Sequence, residues 1–121
     1  MANTFKVFTI SDIAVDTGPY STIYTCAGST TGIVLSLNLC NKTAADKDVT
    51  VKLTSNTSNR IGANDAANED VILLNEVVVP ADTTLEVLSG QKIVIETTDV
   101  ITIGAEAGST IDATLSMMEI T

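Results

Sequence analysis

Between residues 69 and 117 the chain alternates apolar and polar side chains almost without a break. The alternation is interrupted only by short segments that favour turns, namely Pro80-Ala81-Asp82, Ser89-Gly90-Gln91, Thr98-Asp99 and Ala107-Gly108-Ser109. A period of two residues is typical of half-buried antiparallel strands, with one face on a core and the other in water. This half of the chain is therefore predicted to be a series of short strands.

The N-terminal half repeats the pattern over residues 5–13, 20–26, 32–40 and 48–54. In the segment 32–40 the alternation predicts that one face, towards the core, carries Ile33, Leu35, Leu37 and Leu39. In the last strand, which begins at Ile111, we expect a bulge near Met117-Met118 that shifts the inward face by one residue.

These segments amount to about eight to ten strands spaced by about 10 to 12 residues, and no sustained helical period accompanies them. Two antiparallel sheets packed face to face satisfy this pattern, so we predict an all-β fold, an antiparallel β-sandwich. A jelly-roll or Greek-key order is compatible with the pattern, which does not fix strand order. The 121 residues suit a single domain, 1–121.

The segment 55–68 interrupts the strand pattern with small and polar residues. It is either a mobile surface loop or an arm that orders against a partner, and at most one short helical turn is expected in the chain, at residues 64–69. Its oxygen ligands near Gly62 match a calcium loop only weakly. Together with an irregular N-terminal lead, residues 1–4, this loop supplies the candidate partner contacts, which are Asn3, Thr4, Asn59, Arg60, Ile61 and Asn64.

The segments 71–74 and 77–79 are apolar on both faces. Such strands lie either in the middle of the sandwich or against another subunit. The second alternative, and the need to cover exposed sheet edges, favour a homo-oligomer.

Composition argues against several functions. The chain contains no His, so the commonest general base and transition-metal ligand are absent, and we predict no enzyme activity and no cofactor. A net charge of −9 with six basic residues disfavours nucleic acid and anionic lipid, although a locally basic partner surface would fit. No apolar run is long enough for a membrane span, and no signal peptide is expected at the N-terminus.

Cys26 and Cys40 are predicted to be free thiols. If segments 20–26 and 32–40 form a hairpin, Cys26 lies beside the bend and Cys40 at the far end, roughly 25 Å away. A disulfide requires Cα atoms within about 7 Å.

Two blocks of this sequence resemble small all-β virion proteins of tailed bacteriophages. Residues 23–53, IYTCAGSTTGIVLSLNLCNKTAADKDVTVKL, are similar to a pattern of a Tyr-Thr strand, a turn with Gly, an apolar strand ending in Cys-Asn and a Val-Thr-Val strand. Residues 73–120 are similar to a pattern of a Val-Pro-Ala turn, a Leu-rich strand, a Gly turn and a closing strand. The chain departs from the pattern at Cys26-Ala27, where Val-Pro is usual, and in the length of segment 55–68.

The resemblance implies a structural part of a virion, without catalytic residues. The leading expectation is a capsid decoration, or cement, protein that docks on the head shell as a trimer, with the major capsid protein or another virion protein as its partner. Its location would be the virion, assembled in the host cytoplasm. A neck, tail or fibre-base component is the first alternative, and a module that binds carbohydrate or a host surface is the second.

Overall fold

The structure, a computed structural model, describes residues 2–55, 69–88, 90 and 92–121. Within these ranges the chain forms nine strands and no helix. In chain order they are β1 (Asn3–Ile10), β2 (Ser21–Thr25), β3 (Thr31–Asn41), β4 (Lys47–Ser55), β5 (Glu69–Val79), β6 (Thr84–Val87), β7 (Ile93–Ile95), β8 (Val100–Ala105) and β9 (Ile111–Ile120). The part of the chain described holds no helix with the length and hydropathy of a membrane span.

The strands form two antiparallel sheets that pack against each other, which confirms the predicted β-sandwich. Sheet A has the order β1-β9-β3, followed by both β6 and β7 on the far side of β3. Sheet B has the order β2-β8-β4-β5. Pairing is nested, because the first strand pairs with the last, the second with the last but one, and β4 with β5 at the centre. Nested antiparallel pairing across two sheets is the arrangement of a jelly roll.

The strands β6 and β7 share one edge of sheet A. β7 pairs with residues 32–34 of β3, and β6 pairs with residues 37–40. Both run antiparallel to β3, so together they make a single edge that is interrupted between Val87 and Ile93.

The core lies between the two inner faces. Its largest fully buried side chains are Ile13, Leu37, Leu39, Ile95, Ile101, Ile103, Ile111, Leu115, Met117, Val34, Val49 and Val51. Removing each such side chain from water contributes about 1.5–3 kcal/mol, so this cluster is the main source of stability.

The predicted bulge lies on a different strand from the one expected. β9 alternates between buried and half-buried residues from Ile111 to Ile120 without interruption, so the bulge expected near Met117-Met118 is wrong. The register shift falls instead on β3, between Val34 and Ser36. One extra residue there shifts the alternation by one position. The residues of β3 that point into the core are therefore Val34 before the bulge and Leu37 after it.

As a result, the predicted shared face of 32–40 is correct only for its second half. Leu37 and Leu39 are fully buried, whereas Ile33 and Leu35 are half-buried. Ile33 pairs across the sheet with Met118 and Val94, on the side away from the core.

The thiols are free, as predicted, although the hairpin assumed for them is wrong. β2 pairs with β8 in sheet B, whereas β3 belongs to sheet A. Cys26 is buried, with its Sγ 3.2 Å from the carbonyl oxygen of Thr30, and Cys40 is half-buried. The alternating pattern indicates faces of strands but not their partners, which explains the error.

Residues 69–79 form a single strand, β5, at the edge of sheet B. An edge position rules out the middle of the sandwich, the first of the two alternatives. Val71, Ile72 and Val78 are 50%, 53% and 54% exposed. The helical turn expected at residues 64–69 lies outside the described residues except for Glu69, which begins β5. The oxygen ligands that match a calcium loop only weakly lie there too, apart from Glu69 and Asp70.

Candidate interaction surface

The outer face of sheet A carries a continuous row of apolar side chains. Paired positions in adjacent strands point to the same side of a sheet. The pairing therefore aligns one residue from each of β1, β9, β3 and β7, and these are Phe5, Met118, Ile33 and Val94. Phe5 is 73% exposed and Val94 is 52% exposed. We call this set the apolar row.

The neighbouring rows extend this surface. On one side Asn3 is aligned with Ile120 and Thr31, and on the other Val7 is aligned with Ser116. The bulge residue Leu35 lines a shallow, open groove of about 440 Å³ whose other lining residues are Phe5, Lys6, Val7, Ser116 and Met117. We call the apolar row and these two flanking rows the apolar face, and none of its aligned positions has an ionisable side chain.

Farther along the same strands the outer face becomes polar. The pairing aligns Thr9 with Thr114, Asn38 and Glu86, which we call the polar row. Beyond it, Asp112 is aligned with Cys40 and Thr84. One surface of one sheet is thus divided into an apolar half and a polar half.

A buried polar cluster lies under the apolar face. The Tyr24 hydroxyl donates a hydrogen bond to Glu119 Oε2 at 2.7 Å, and Lys6 Nζ lies 2.7 Å from Glu119 Oε1. Glu119 is only 7% exposed, so its charge depends on these partners. The hydrogen bond from Lys6, followed by that from Tyr24, lowers the pKa of Glu119, while burial raises the pKa of Tyr24. The cluster is therefore an ionised carboxylate held by a neutral phenol and an ammonium.

Tight packing fixes the Tyr24 ring. The rings of Phe8 and Tyr24 meet edge to face with centroids 5.0 Å apart. A Cβ on Gly32 would lie 2.8 Å from the Tyr24 hydroxyl oxygen and 2.9 Å from Met117 Cε. Because Gly32 has no side chain, the Tyr24 hydroxyl can occupy this space.

The opposite end of the sandwich is acidic. Asp48 Oδ1 is buried and makes no hydrogen bond in the described part of the chain. Burial, then the charges of Glu106, Glu76 and Asp16, raise the pKa of Asp48. On the exposed surface nearby, Lys42 Nζ pairs with Asp12 and lies 3.0 Å from Asp112 Oδ1.

A second groove, on the outer face of sheet B, bears on the carbohydrate alternative. Tyr20, half-buried, packs over Gly104, and Lys52 Nζ lies 4.3 Å from the ring centroid. The groove also contains Asp16, Thr54, Asp70 and Thr102. Since a backbone and an ammonium already contact the ring, a sugar would have to displace Lys52 to stack there.

The structure places only two of the predicted contact residues. Asn3 and Thr4 are exposed and begin β1, so the expectation of an irregular lead is wrong for them, because both pair in register with β9. Asn59, Arg60, Ile61 and Asn64 lie outside the described residues.

The sequence pattern did not predict the apolar row, although consecutive apolar residues in two of its strands point to it. β3 contains three consecutive apolar residues, Ile33, Val34 and Leu35, and β9 contains Met117-Met118. Consecutive apolar residues in a strand place apolar side chains on both faces of the sheet. In β9 this signal was interpreted as a bulge.

No family model, no curated protein and no solved structure matches the chain. Among the residues that the structure describes, no group of three or more Cys, Asp or Glu side chains could hold a metal ion.

Proposed function

We propose that this chain is a non-enzymatic structural protein of a tailed-phage virion, and that it acts as a decoration protein on the head shell. The observation that carries the proposal is the apolar face. Proteins that act alone in solution rarely leave a contiguous apolar surface of this kind without a partner. The resemblance of residues 23–53 and 73–120 to phage virion proteins supports a virion protein as that partner.

The jelly roll is compatible with this role but does not specify it. The fold recurs in viral capsid domains and also in lectins. The architecture alone therefore does not determine the function, which depends on the surface that the fold carries. An exposed sheet face with apolar rows and only a shallow, open groove suits contact with a broad shell, whereas a ligand site would be a deeper pocket with a few placed polar groups.

In this role the protein would bury its apolar face against the capsid subunits. The contact would stabilise the shell by burying apolar surface that is otherwise in water, at about 25 cal/mol per Å². A homo-oligomeric state, for which the resemblance implies a trimer, and location in the virion stay predictions.

A neck, tail or fibre-base position is the alternative within the same class, since any virion surface could cover the apolar face. The carbohydrate alternative would use the Tyr20 groove instead. The contact between Lys52 and the Tyr20 ring argues against it.

Co-sedimentation with purified, expanded head shells of the phage that encodes the chain tests the proposal. We expect the wild-type protein to sediment with the shells and Phe5→Asp to lose at least about tenfold in affinity, because a carboxylate would be buried at the contact. Phe5 is 73% exposed, so the substitution leaves the core intact.

Asn38→Asp is the matched control, since Asn38 points to the same face of sheet A but lies on β3 and belongs to the polar row. It should bind shells as the wild type does. The proposal would be overturned if the wild-type protein did not sediment with the shells. Equal losses of affinity in the two variants would show that the apolar face is not the contact.

A further inference from the structure

Among the described residues the two sheets have four edges, and three of these edges carry features that block the addition of another strand. β2 has five residues and a register shift between Thr22 and Tyr24. β5 has two register shifts and a left-handed residue, Glu76, with φ of 49°. The β6/β7 edge is interrupted between its two short strands. Short, bulged or broken edges are the usual means of preventing edge-to-edge association.

The fourth edge, β1, lacks these features. Its eight residues pair with β9 in one unbroken register. It contains no Pro, no Gly and no residue with positive φ. Its one charged residue, Lys6, pairs with Glu119, and about half of the Lys6 side chain stays exposed. The outer side of β1 therefore offers a straight row of main-chain donors and acceptors to another strand.

We propose that β1 pairs antiparallel with β1 of a second copy of this chain, around a two-fold axis at Val7. In this register Val7 faces Val7 of the second copy, and Phe5 faces Thr9. On the inner side Lys6 faces Phe8, and Thr4 faces Ile10. Each facing pair points to the same side of the sheet, as pairing requires, and no like charges face one another.

The sequence of β1 selects this register over its neighbour. Moving the axis to Lys6 would place the two ammonium groups directly opposite each other, which destabilises a strand pair. Moving the register by a single residue would place Phe5 of one copy opposite Phe8 of the other. These two side chains lie on opposite faces of β1, so such a pair would break the alternation of the combined sheet.

Charge also favours a second copy at this edge. Each chain carries a net charge of −9, so most contacts between copies are opposed by repulsion. β1 contains neither Asp nor Glu. Pairing here would join the two A sheets into one and set two apolar faces side by side, giving a bivalent surface. The inference does not depend on what that surface binds.

Cross-linking through Val7→Cys tests the two-fold axis directly. Facing Cβ atoms in paired strands lie about 4.5–5.5 Å apart. We expect a covalent dimer under mild oxidation or with a short bis-maleimide. The wild type controls for Cys26 and Cys40, and Thr22→Cys, exposed on the β2 edge, controls for random collision. Cross-linking no faster than in Thr22→Cys would overturn the inference.

Charge exchange at the same position tests association without covalent chemistry. Light scattering should give a dimer for the wild type, in place of the trimer that the resemblance implies. Val7→Lys and Val7→Glu should each weaken the dimer at least about tenfold, and mixing them should restore it. A monomer or a trimer in the wild type, or no recovery on mixing, would refute the pairing. This experiment contains no head shells. A negative result would therefore refute the β1 pairing without bearing on the proposed binding to shells, which co-sedimentation tests separately.

Discussion

At the end of the sandwich where β1 begins and β9 ends, the outer face of sheet A exposes apolar side chains to the solvent. At the other end, several carboxylates lie close to one another. At the first, the apolar end, the buried charge of Glu119 is held by Lys6 and Tyr24. At the second, the acidic end, Asp48 has an unbonded Oδ1 and several acidic neighbours.

The difference shows how a chain with a net charge of −9 can keep an uncharged face. Asp48 and its acidic neighbours lie at one end, whereas the carboxylate of Glu119, buried under the apolar face, is paired with Lys6 and Tyr24. Each end can be tested separately, since the two share strands but not side-chain contacts.

The largest effect is expected from filling the space under the apolar face. Gly32→Ala would press a methyl group against the Tyr24 hydroxyl and Met117, and overpacking of this kind costs about 1–3 kcal/mol. Chemical denaturation measures the loss. Gly28→Ala is the control, because nothing lies within 4 Å of its Cβ position. Equal stability of the two variants would mean that the Tyr24 hydroxyl does not occupy this space.

Removing the charge of Glu119 should come next. Glu119→Gln loses a charged acceptor for Lys6 and Tyr24, and we expect a loss of about 1–2 kcal/mol near neutral pH. Folding lowers the pKa of Glu119, so its contribution is present above the unfolded pKa and is lost as the pH falls through the folded value. Denaturation curves across this range should therefore converge for the wild type and the variant. A gap that stays constant with pH would contradict the assignment.

The acidic end should respond with the opposite sign. Asp48→Asn removes a charge that burial, and then the acidic neighbours, disfavour, so we expect a gain of about 0.5 kcal/mol at neutral pH. Because folding raises the pKa of Asp48, its unfavourable contribution fades as the pH falls through the folded value. The advantage of the variant should shrink in acid. A variant that is less stable at neutral pH would show that Asp48 has a favourable partner.

The smallest effect is expected from the exposed ion pairs. Lys42→Met breaks the contacts with Asp12 and Asp112 and leaves two carboxylates facing each other, so stability should fall slightly at low salt. In 1 M NaCl, where the Debye length is about 3 Å, the difference should disappear. Thermal melts at both salt concentrations measure it, and persistence at high salt would indicate lost packing of the lysine stem instead.

The sequence predicts the architecture better than the surface. Alternation around Leu37 and Leu39 indicates a core-facing strand, because burial of one face imposes a period of two. The position of the bulge at Leu35 could not be predicted, since consecutive apolar residues fit both a bulge and a strand that is apolar on both faces. Strand partners could not be predicted either, because the nested order pairs residues from opposite parts of the chain. The apolar row exists only once those partners are aligned.

The pairing of Asn3 with Ile120 has a consequence for the order of folding. Contacts between residues distant in sequence form slowly, since a long loop must close first. We expect the β4–β5 pair to form early and β1 to join late, which pulse-labelled hydrogen exchange would detect as late protection of β1 amides. If β1 joins two copies as proposed, an incompletely folded copy would lack the strand that pairs, so only completely folded copies would associate.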